Sequence, residues 1–371
     1  MTIKGLWIYY KKSVGYGEIL ISELEGKIIA IDIYGLMYAT RVVSKGIYMG
    51  KINPFYDDIS DEADEKIDKM WISHFFDTVI EYLRDGFLPI FVYDGPKTDM
   101  LKLNTLKKRS TQTENLSDRA DKILKKYENT DLLAIPSSEI DNLRTLLKQI
   151  NIMPKKSVDR FRDFFRDIGI PWVNSTGEGE RTCALMSRDK IVNYIICDDG
   201  DILACGANVT ILKEKCQVYD KKGSGDKGYI TAHLDNLLDT LGMEYDLFQE
   251  LCIMSGTDFN DNIKGVGLNK AAKLLTEHGC ITKVGKNTKY DISVLNHREV
   301  RKRFAIIPWK ETVVDYCLDL TFDEKKEAIA MAKYDLANQL STLIRLKKKV
   351  AKKISERTNK IIGEKVDESS D

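Results

Sequence analysis

Apolar positions along this chain follow two rhythms. Short runs rich in β-branched residues, "GKIIAIDIY", "LPIFVYDG", "GIPWVNSTG" and "NYIICDDGD", read as buried parallel-type strands. Between them lie longer stretches whose apolar residues recur every three or four positions, the pattern of amphipathic helices. "GLMYATRVV" opens one such helix, and a second runs from about Glu65 to Arg84. Residues 45–64, with Gly, Pro and acids, read as a loop or insertion. Residues 97–165 are highly charged, helical in pattern and lack a strong strand candidate, which predicts an inserted helical subdomain. "ANVTILK" is a further strand, "DKKGSGDKG" a Gly/Lys loop, and residues 231–276 a helical region. After Glu324 the chain is helical and increasingly basic, and "GEKVDESSD" reads as a disordered tail.

Strands alternating with helices predict an α/β fold with a mainly parallel central sheet flanked by helices. Four regions are expected: an N-terminal part of the core at 1–96, a helical insertion at 97–165, a second part of the core at 166–290, and a helical, basic extension at 291–371. In open sheets of this kind ligands bind beyond the carboxyl ends of the strands. Asp32, Asp94, Asp199 and Asp201 all fall at expected strand ends, on that one edge.

Composition narrows the chemistry. The 371 residues hold 57 Lys+Arg and 57 Asp+Glu, so any cationic surface has to arise by segregation rather than by excess. With 43% hydrophobic residues and a mean hydropathy of −0.30, the chain has the make-up of a soluble globular protein. No run approaches the ~18 apolar residues of a membrane span, and "MTIKGLWIYYKKS" lacks the apolar centre of a signal peptide, so a nuclear or cytosolic protein without membrane association is expected. Seven scattered cysteines without CxxC read as reduced thiols. Four histidines without HExxH or paired spacing argue against a zinc hydrolase. A metal, if bound, should be a hard cation on oxygen ligands, Mg²⁺ with Mn²⁺ as a substitute.

Seven acids form the candidate constellation: Asp32, Asp94, Glu178, Glu180, Asp199, Asp201 and Asp258. Taken singly, each reads more simply as a helix-dipole partner or a chance strand end among 57 acids. Taken together they would repel one another strongly unless cations neutralise them. Two divalent metals roughly 4 Å apart, which activate a water and clamp phosphate oxygens, would do so.

These residues resemble a known family, the flap endonucleases and their XPG-type relatives. The likeness is collinear over roughly residues 1–290 and includes "IKGL", "IAIDIYGLMY", "PIFVYDG", "GEGERTCA", "CDDGDILACGA" and "LCIMSGTDFNDNIKGVGLNKAAKLL". The resemblance implies a PIN-like nuclease core. Asp32, Asp94, Glu178 and Glu180 would serve one metal, and Asp199, Asp201 and Asp258 the other, with Glu180 between them. It implies that Lys102 and Arg109 reach over the site as a cationic pair, on one helix face by their spacing. It also implies that residues 97–165 form an arch admitting a single strand, and that Tyr38 stacks on a base beside the scissile bond. A helix–two-turn–helix at about 256–278 would grip duplex backbone, with its Gly-x-Gly turn opening a lysine-bearing helix toward phosphate. Expected DNA contacts are Tyr38, Lys45, Lys102, Arg109, Glu178, Gly256, Asp258, Gly265, Gly267 and Lys270. In relatives the same turn carries K⁺, through Asn262, Ile263 and Val266 here.

The resemblance implies a Mg²⁺-dependent monomer that cuts branched or nicked DNA with a 5′ single strand, in replication and repair. In a viral setting the place would be the host nucleus or replication site. A PIN-like ribonuclease and a non-catalytic DNA-junction binder are the rival readings; the helix–two-turn–helix disfavours the first, and the full set of carboxylates the second. Two positions depart from the family pattern. Thr2 stands where glycine is usual, and Thr78 where an arginine is usual, which predicts a weaker duplex contact. "QLSTLIRL" from Gln339 lacks the aromatic pair of a QxxLxxFF motif, so sliding-clamp recruitment is not expected. The basic tail reads as a DNA contact, a nuclear signal or a solvated helix.

Overall fold

A computed structural model describes residues 3–57, 59, 61–96, 100–150, 152–219 and 225–368, so Thr2 lies outside the described residues. Eight strands form one mixed sheet in the order β1-β7-β6-β5-β2-β3-β4-β8. They span Gly17–Leu20 (β1), Ile28–Asp32 (β2), Leu88–Tyr93 (β3), Trp172–Ser175 (β4), Tyr194–Ile196 (β5), Val209–Tyr219 (β6), Gly225–His233 (β7) and Val313–Cys317 (β8). The middle five, β6-β5-β2-β3-β4, pair in parallel, while β7 and β1 on one side and β8 on the other are antiparallel. A parallel strand in mid-sheet is covered on both faces, and β3 is buried at every position.

Helices cover both faces. On one, Trp71, Phe75 and Phe76 of helix Asp61–Arg84 meet Phe161, Phe164 and Phe165 of helix Lys155–Asp167, with Phe75 edge-on to Phe91 of β3 at 5.8 Å. Burying each such ring is worth about 1.5–3 kcal/mol. On the other face, Cys183, Leu185 and Met186 of helix Gly179–Arg188 pack with Leu251, Cys252 and Met254 of helix Tyr245–Ser255. Helices Leu103–Lys126 and Ser137–Gln149 join around a small cluster of their own, Ala120, Leu143 and Leu146 against Phe55. All seven cysteines are free thiols. Among the described residues no helix is long and apolar enough to cross a membrane.

Several elements differ from the sequence expectation. The stretch read as a loop from residue 45 is helical to Lys51, within helix Ile33–Lys51. Packing overrides its glycines: Met49 is buried, and the fully buried Arg41 guanidinium bonds Asp68 at 3.1 Å and Asp64 at 2.6 Å on the next helix. Helix Lys155–Asp167, charged in composition, belongs to the core because its three phenylalanines share one stripe. β7 starts inside the expected Gly/Lys loop, and the extension after residue 291 contributes β8 as an edge strand. The expected tail is helical as far as Glu368. The basic stretch before it docks on the core, with Leu343, Leu346 and Val350 buried. Lys347 is buried too, its ammonium donating to Glu327 at 2.7 Å and to the carbonyls of Ile168 and Thr321. A solvated helix would leave that lysine in water.

Candidate active site

The carboxyl ends of the four central parallel strands supply most of the acids. Asp32 ends β2 beside Val92 of β3, and Asp94 follows two positions later. Asp199 and Asp201 follow β5, and Glu178 and Glu180 begin the helix after β4. Asp258 arrives from the turn after helix Tyr245–Ser255.

Gly179, between the two glutamates, explains how helix and strand can meet. Its N–H donates to Asp94 Oδ1 at 2.7 Å. A Cβ at this position would lie 3.0 Å from that oxygen and 3.4 Å from Asp32 Oδ1. A side chain here would press on both strand ends, so glycine lets the helix N-terminus approach them closely and carries the two flanking glutamates in with it.

Asp32, Tyr38, Asp94, Lys102, Arg109, Glu178, Asp199 and Asp258 line one cleft of about 390 Å³. Tyr38 is 41% exposed at this cleft, so its ring is accessible there and is not core. Glu180 and Asp201 lie deeper, 8% and 1% exposed. Two cations reach in from the arch. Lys102 Nζ bonds Glu178 Oε2 at 2.6 Å and lies 4.8 Å from the centre of the Phe259 ring, while Arg109 Nη2 bonds Asp258 Oδ2 at 3.1 Å. The hydroxyl of Thr105 donates to the Asp258 carbonyl, fastening the base of the arch to the same turn.

The electrostatics are those of crowded, buried like charges. Burial and Glu178 push the Asp94 carboxyl up to about 6. Burial, with Asp199 and Asp201 adding to it, holds Glu180 well above the usual carboxylate range. Asp201 is raised in the same way by burial and Asp199, and Asp199 by burial. Burial works against the Lys102 charge, yet Glu180 and Glu178 raise its pKa above the ordinary lysine value. Asp201 Oδ1 is buried with no hydrogen-bond partner. An orphaned carboxylate oxygen among all-oxygen donors is a set suited to a hard divalent cation. Among the described residues no three such side chains already converge as a metal group; Lys102 and Arg109 are bonded to Glu178 and Asp258 instead.

The other expected positions divide. Gly265 has φ +76°, and both Gly265 and Gly267 face open space before helix Leu268–His278, so backbone there is open to a phosphate. Gly256 ends the preceding helix at φ +92°, and Lys270 lies on the following one with Nζ 3.4 Å from the Gly265 carbonyl. Lys45 differs from expectation: it is half-buried and donates to the Ile150 carbonyl at 2.6 Å, so it ties helix Ile33–Lys51 to the end of the arch. Thr78 is half-buried on helix Asp61–Arg84. The turn expected to carry K⁺ is closed by side-chain hydrogen bonds. The Asn262 amide nitrogen faces the Ile263 and Val266 carbonyls at 3.4 and 3.3 Å, and Lys4 Nζ donates to Asn262 Oδ1 at 2.9 Å. Sequence reasoning passed over Tyr34, Gly95 and Gly177, which also line the cleft. The Gly95 N–H bonds the Gly177 carbonyl at 2.7 Å, stitching the ends of β3 and β4. Only the glycines around "STGEGE" hinted at this.

Residues 1–116 match the XPG N-terminal domain and residues 169–258 the XPG I-region, together more than half of the chain. Flap endonuclease 1 of Plasmodium falciparum is 26% identical over 334 residues, covering 85% of this chain and 48% of the relative. Flap endonuclease 1-B of Sorghum bicolor is 32% identical over 208 residues, covering 56% of this chain and 45% of that protein. The chain thus spans about half the length of these two relatives. The structure of flap endonuclease-1 from Methanococcus jannaschii shares the fold with a TM-score of 0.57 at 21% identity, covering 94% of this chain and 99% of that one. The catalytic core of Rad2, seen with a DNA substrate, gives 0.53 at 15% identity, covering 91% and 99%. The chain belongs to the XPG-type flap endonuclease family.

Proposed function

We propose that the protein is a Mg²⁺-dependent, structure-specific 5′ nuclease that hydrolyses phosphodiesters at single-strand/duplex junctions. Its substrates are 5′ flaps in DNA replication and repair, with 5′→3′ exonuclease action on nicked or gapped duplex. One observation carries the reading: carboxylates from four strand ends and one turn meet at a single cleft, under two cations from a helical arch.

Asp32, Asp94, Glu178 and Glu180 would hold one divalent cation, and Asp199, Asp201 and Asp258 the other. When bound, such cations supply an activated water and charge stabilisation on the phosphate oxygens. The chain's own residues do the rest. Lys102 and Arg109, released from their carboxylate partners, turn to the scissile phosphate and stabilise its developing charge. Tyr38 offers its ring to a neighbouring base, and the open backbone at Gly265 and Gly267 holds duplex phosphates without reading base edges. Specificity then arises from where the duplex is gripped and where the single strand enters.

A substrate panel tests this reading. Labelled double-flap, nicked, gapped and single-stranded DNA are incubated with Mg²⁺, and the cut positions are mapped. Incision within a nucleotide or two of the junction on the double flap, with single strands spared, is expected. Equal cutting of single strands, or cutting of RNA in preference to flapped DNA, would overturn it.

A further inference from the structure

The first described residues join two parts of the molecule that lie far along the chain. Lys4 donates its backbone N–H to the Gly256 carbonyl at 3.2 Å, and its Nζ donates to Asn262 Oδ1 at 2.9 Å. Both partners lie between helices Tyr245–Ser255 and Leu268–His278, in the turn whose backbone is open at Gly265 and Gly267. Three residues on, the Trp7 indole N–H donates to the Asp198 carbonyl at 2.8 Å. Asp198 precedes Asp199, whose Oδ1 accepts the Asp201 N–H at 3.1 Å. The Trp7 bond therefore holds the loop that carries two of the acids.

The segment between these contacts is wedged in place. Ile3, Leu6 and Tyr10 are fully buried, in the same core cluster as Val266 and Leu268 on the side of the turn and Cys197 and Ile202 on the side of the acids. The Tyr10 hydroxyl accepts the His233 N–H at 2.6 Å and donates to the His233 carbonyl, which fixes the far end of the segment to β7. Trp7 lies edge-on to Tyr10, and Tyr10 stacks on Tyr16 with ring centres 5.3 Å apart. The apolar stripe alone would bury the segment. Lys4 is exposed and Trp7 half-buried, so their two polar bonds do not serve to fill the core; they join the turn and the acid loop through one short piece of chain.

We propose that residues 3–10 act as a strut that sets the spacing between the duplex-holding turn and the acids, and so selects which phosphodiester is cut. The inference rests on the nuclease reading above. Lys4 and Trp7 are positioning residues: neither lines the Tyr38 cleft, and each acts through the group it holds. A duplex gripped at Gly265 and Gly267 is then presented at one fixed offset from Asp199 and Asp201. Small misplacements of a reacting group cost much in rate, so a fixed offset favours one phosphodiester over its neighbours. Loosening either end of the strut lets the offset drift without releasing the DNA.

The test maps single-turnover cuts in an end-labelled double-flap DNA with Mg²⁺, at nucleotide resolution. Binding is followed by fluorescence anisotropy in Ca²⁺, and folding of each variant by thermal unfolding. Wild type should cut one phosphodiester in clear excess over its neighbours. In Trp7→Phe, which keeps a ring and loses the N–H, that excess should fall roughly three- to tenfold, the scale of one lost hydrogen bond. Lys4→Met should act in the same direction, Lys4→Arg should keep part of the preference, and affinity should stay within about twofold of wild type. A cut position that stays as sharp as in wild type, in either Trp7→Phe or Lys4→Met once it is shown to be folded, overturns the proposal, whether or not rate or affinity falls. Wild type that itself spreads its cuts over several positions sinks only this inference, whereas wild type that cuts nothing sinks the nuclease reading.

Discussion

Lys102 Nζ sits 2.6 Å from Glu178 Oε2, so the first cation of the arch is bonded to an acid that is itself expected to hold a metal. Arg109 makes the matching contact with Asp258 across the cleft. The arch is thereby held down on the carboxylates when no other cation competes, and metal and substrate phosphate would redistribute these contacts. Lys102→Ala should lower the single-turnover cleavage rate by about 10²–10³, the cost of one preorganised donor. Flap DNA affinity should change far less. Rapid-quench rates and anisotropy binding curves measure the two; equal losses in both would make Lys102 a binding residue only.

Asp201 is fully buried, with one oxygen unpartnered and like charges around it. The metal-free chain is therefore less stable than it would be with a neutral group there. Asp201→Asn should raise the melting temperature of the protein in EDTA, by roughly 1 kcal/mol or more of stability, while removing cleavage. Added Mg²⁺ should stabilise wild type by mass action and stabilise the variant much less. Calorimetry with and without Mg²⁺ checks both; a variant less stable than wild type in EDTA would contradict the account.

Burial, with Arg41 adding to it and Asp64 opposing, lowers the Lys45 ammonium to about 8 from an ordinary value of 10.5. Between pH 8 and 10.5 the unfolded chain then holds more protons at this residue than the folded one, so this residue makes stability rise with pH across that window. Below pH 8 its cost is constant. The stability of wild type relative to Lys45→Met should therefore improve from pH 8 to 10.5, as read by urea unfolding at each pH. Parallel curves across the window would show that Lys45 is not desolvated.

The C-terminal helix is fastened by a buried pair, Lys347 and Glu327, both at most 1% exposed. Lys347→Met leaves Glu327 buried without its partner and should cost about 3–5 kcal/mol. Adding Glu327→Gln should recover a large part of that loss, because the orphaned charge is then gone. Chemical denaturation of the two variants measures it; an unaffected single variant would mean that the helix is not docked in solution.

The parts most legible in sequence were those where one local rule dominates. β-branched runs ending in aspartate gave β2, β3 and β5 and, with them, the edge on which Asp32, Asp94 and Asp199 meet. The Gly-x-Gly before Leu268 marked its turn for a similar reason: only glycine takes φ +76° there without strain. What was not legible depended on distant partners. Lys45 looks like a surface cation until the Ile150 carbonyl, far along the chain, is folded against it. Helix Lys155–Asp167 looks like part of the charged insertion until its phenylalanines find Phe75 and Phe91. β8 is an edge strand with three exposed residues in five, so its sequence carries little period-two signal.

The most direct test of the central claim is cleavage of an end-labelled double-flap DNA in Mg²⁺ by wild type and by Asp201→Ala, with binding followed in parallel. The account predicts incision at the junction by wild type, and loss of incision with retained binding in the variant. Binding of the junction by both proteins with cleavage by neither would contradict it and leave a junction-binding protein in place of a nuclease.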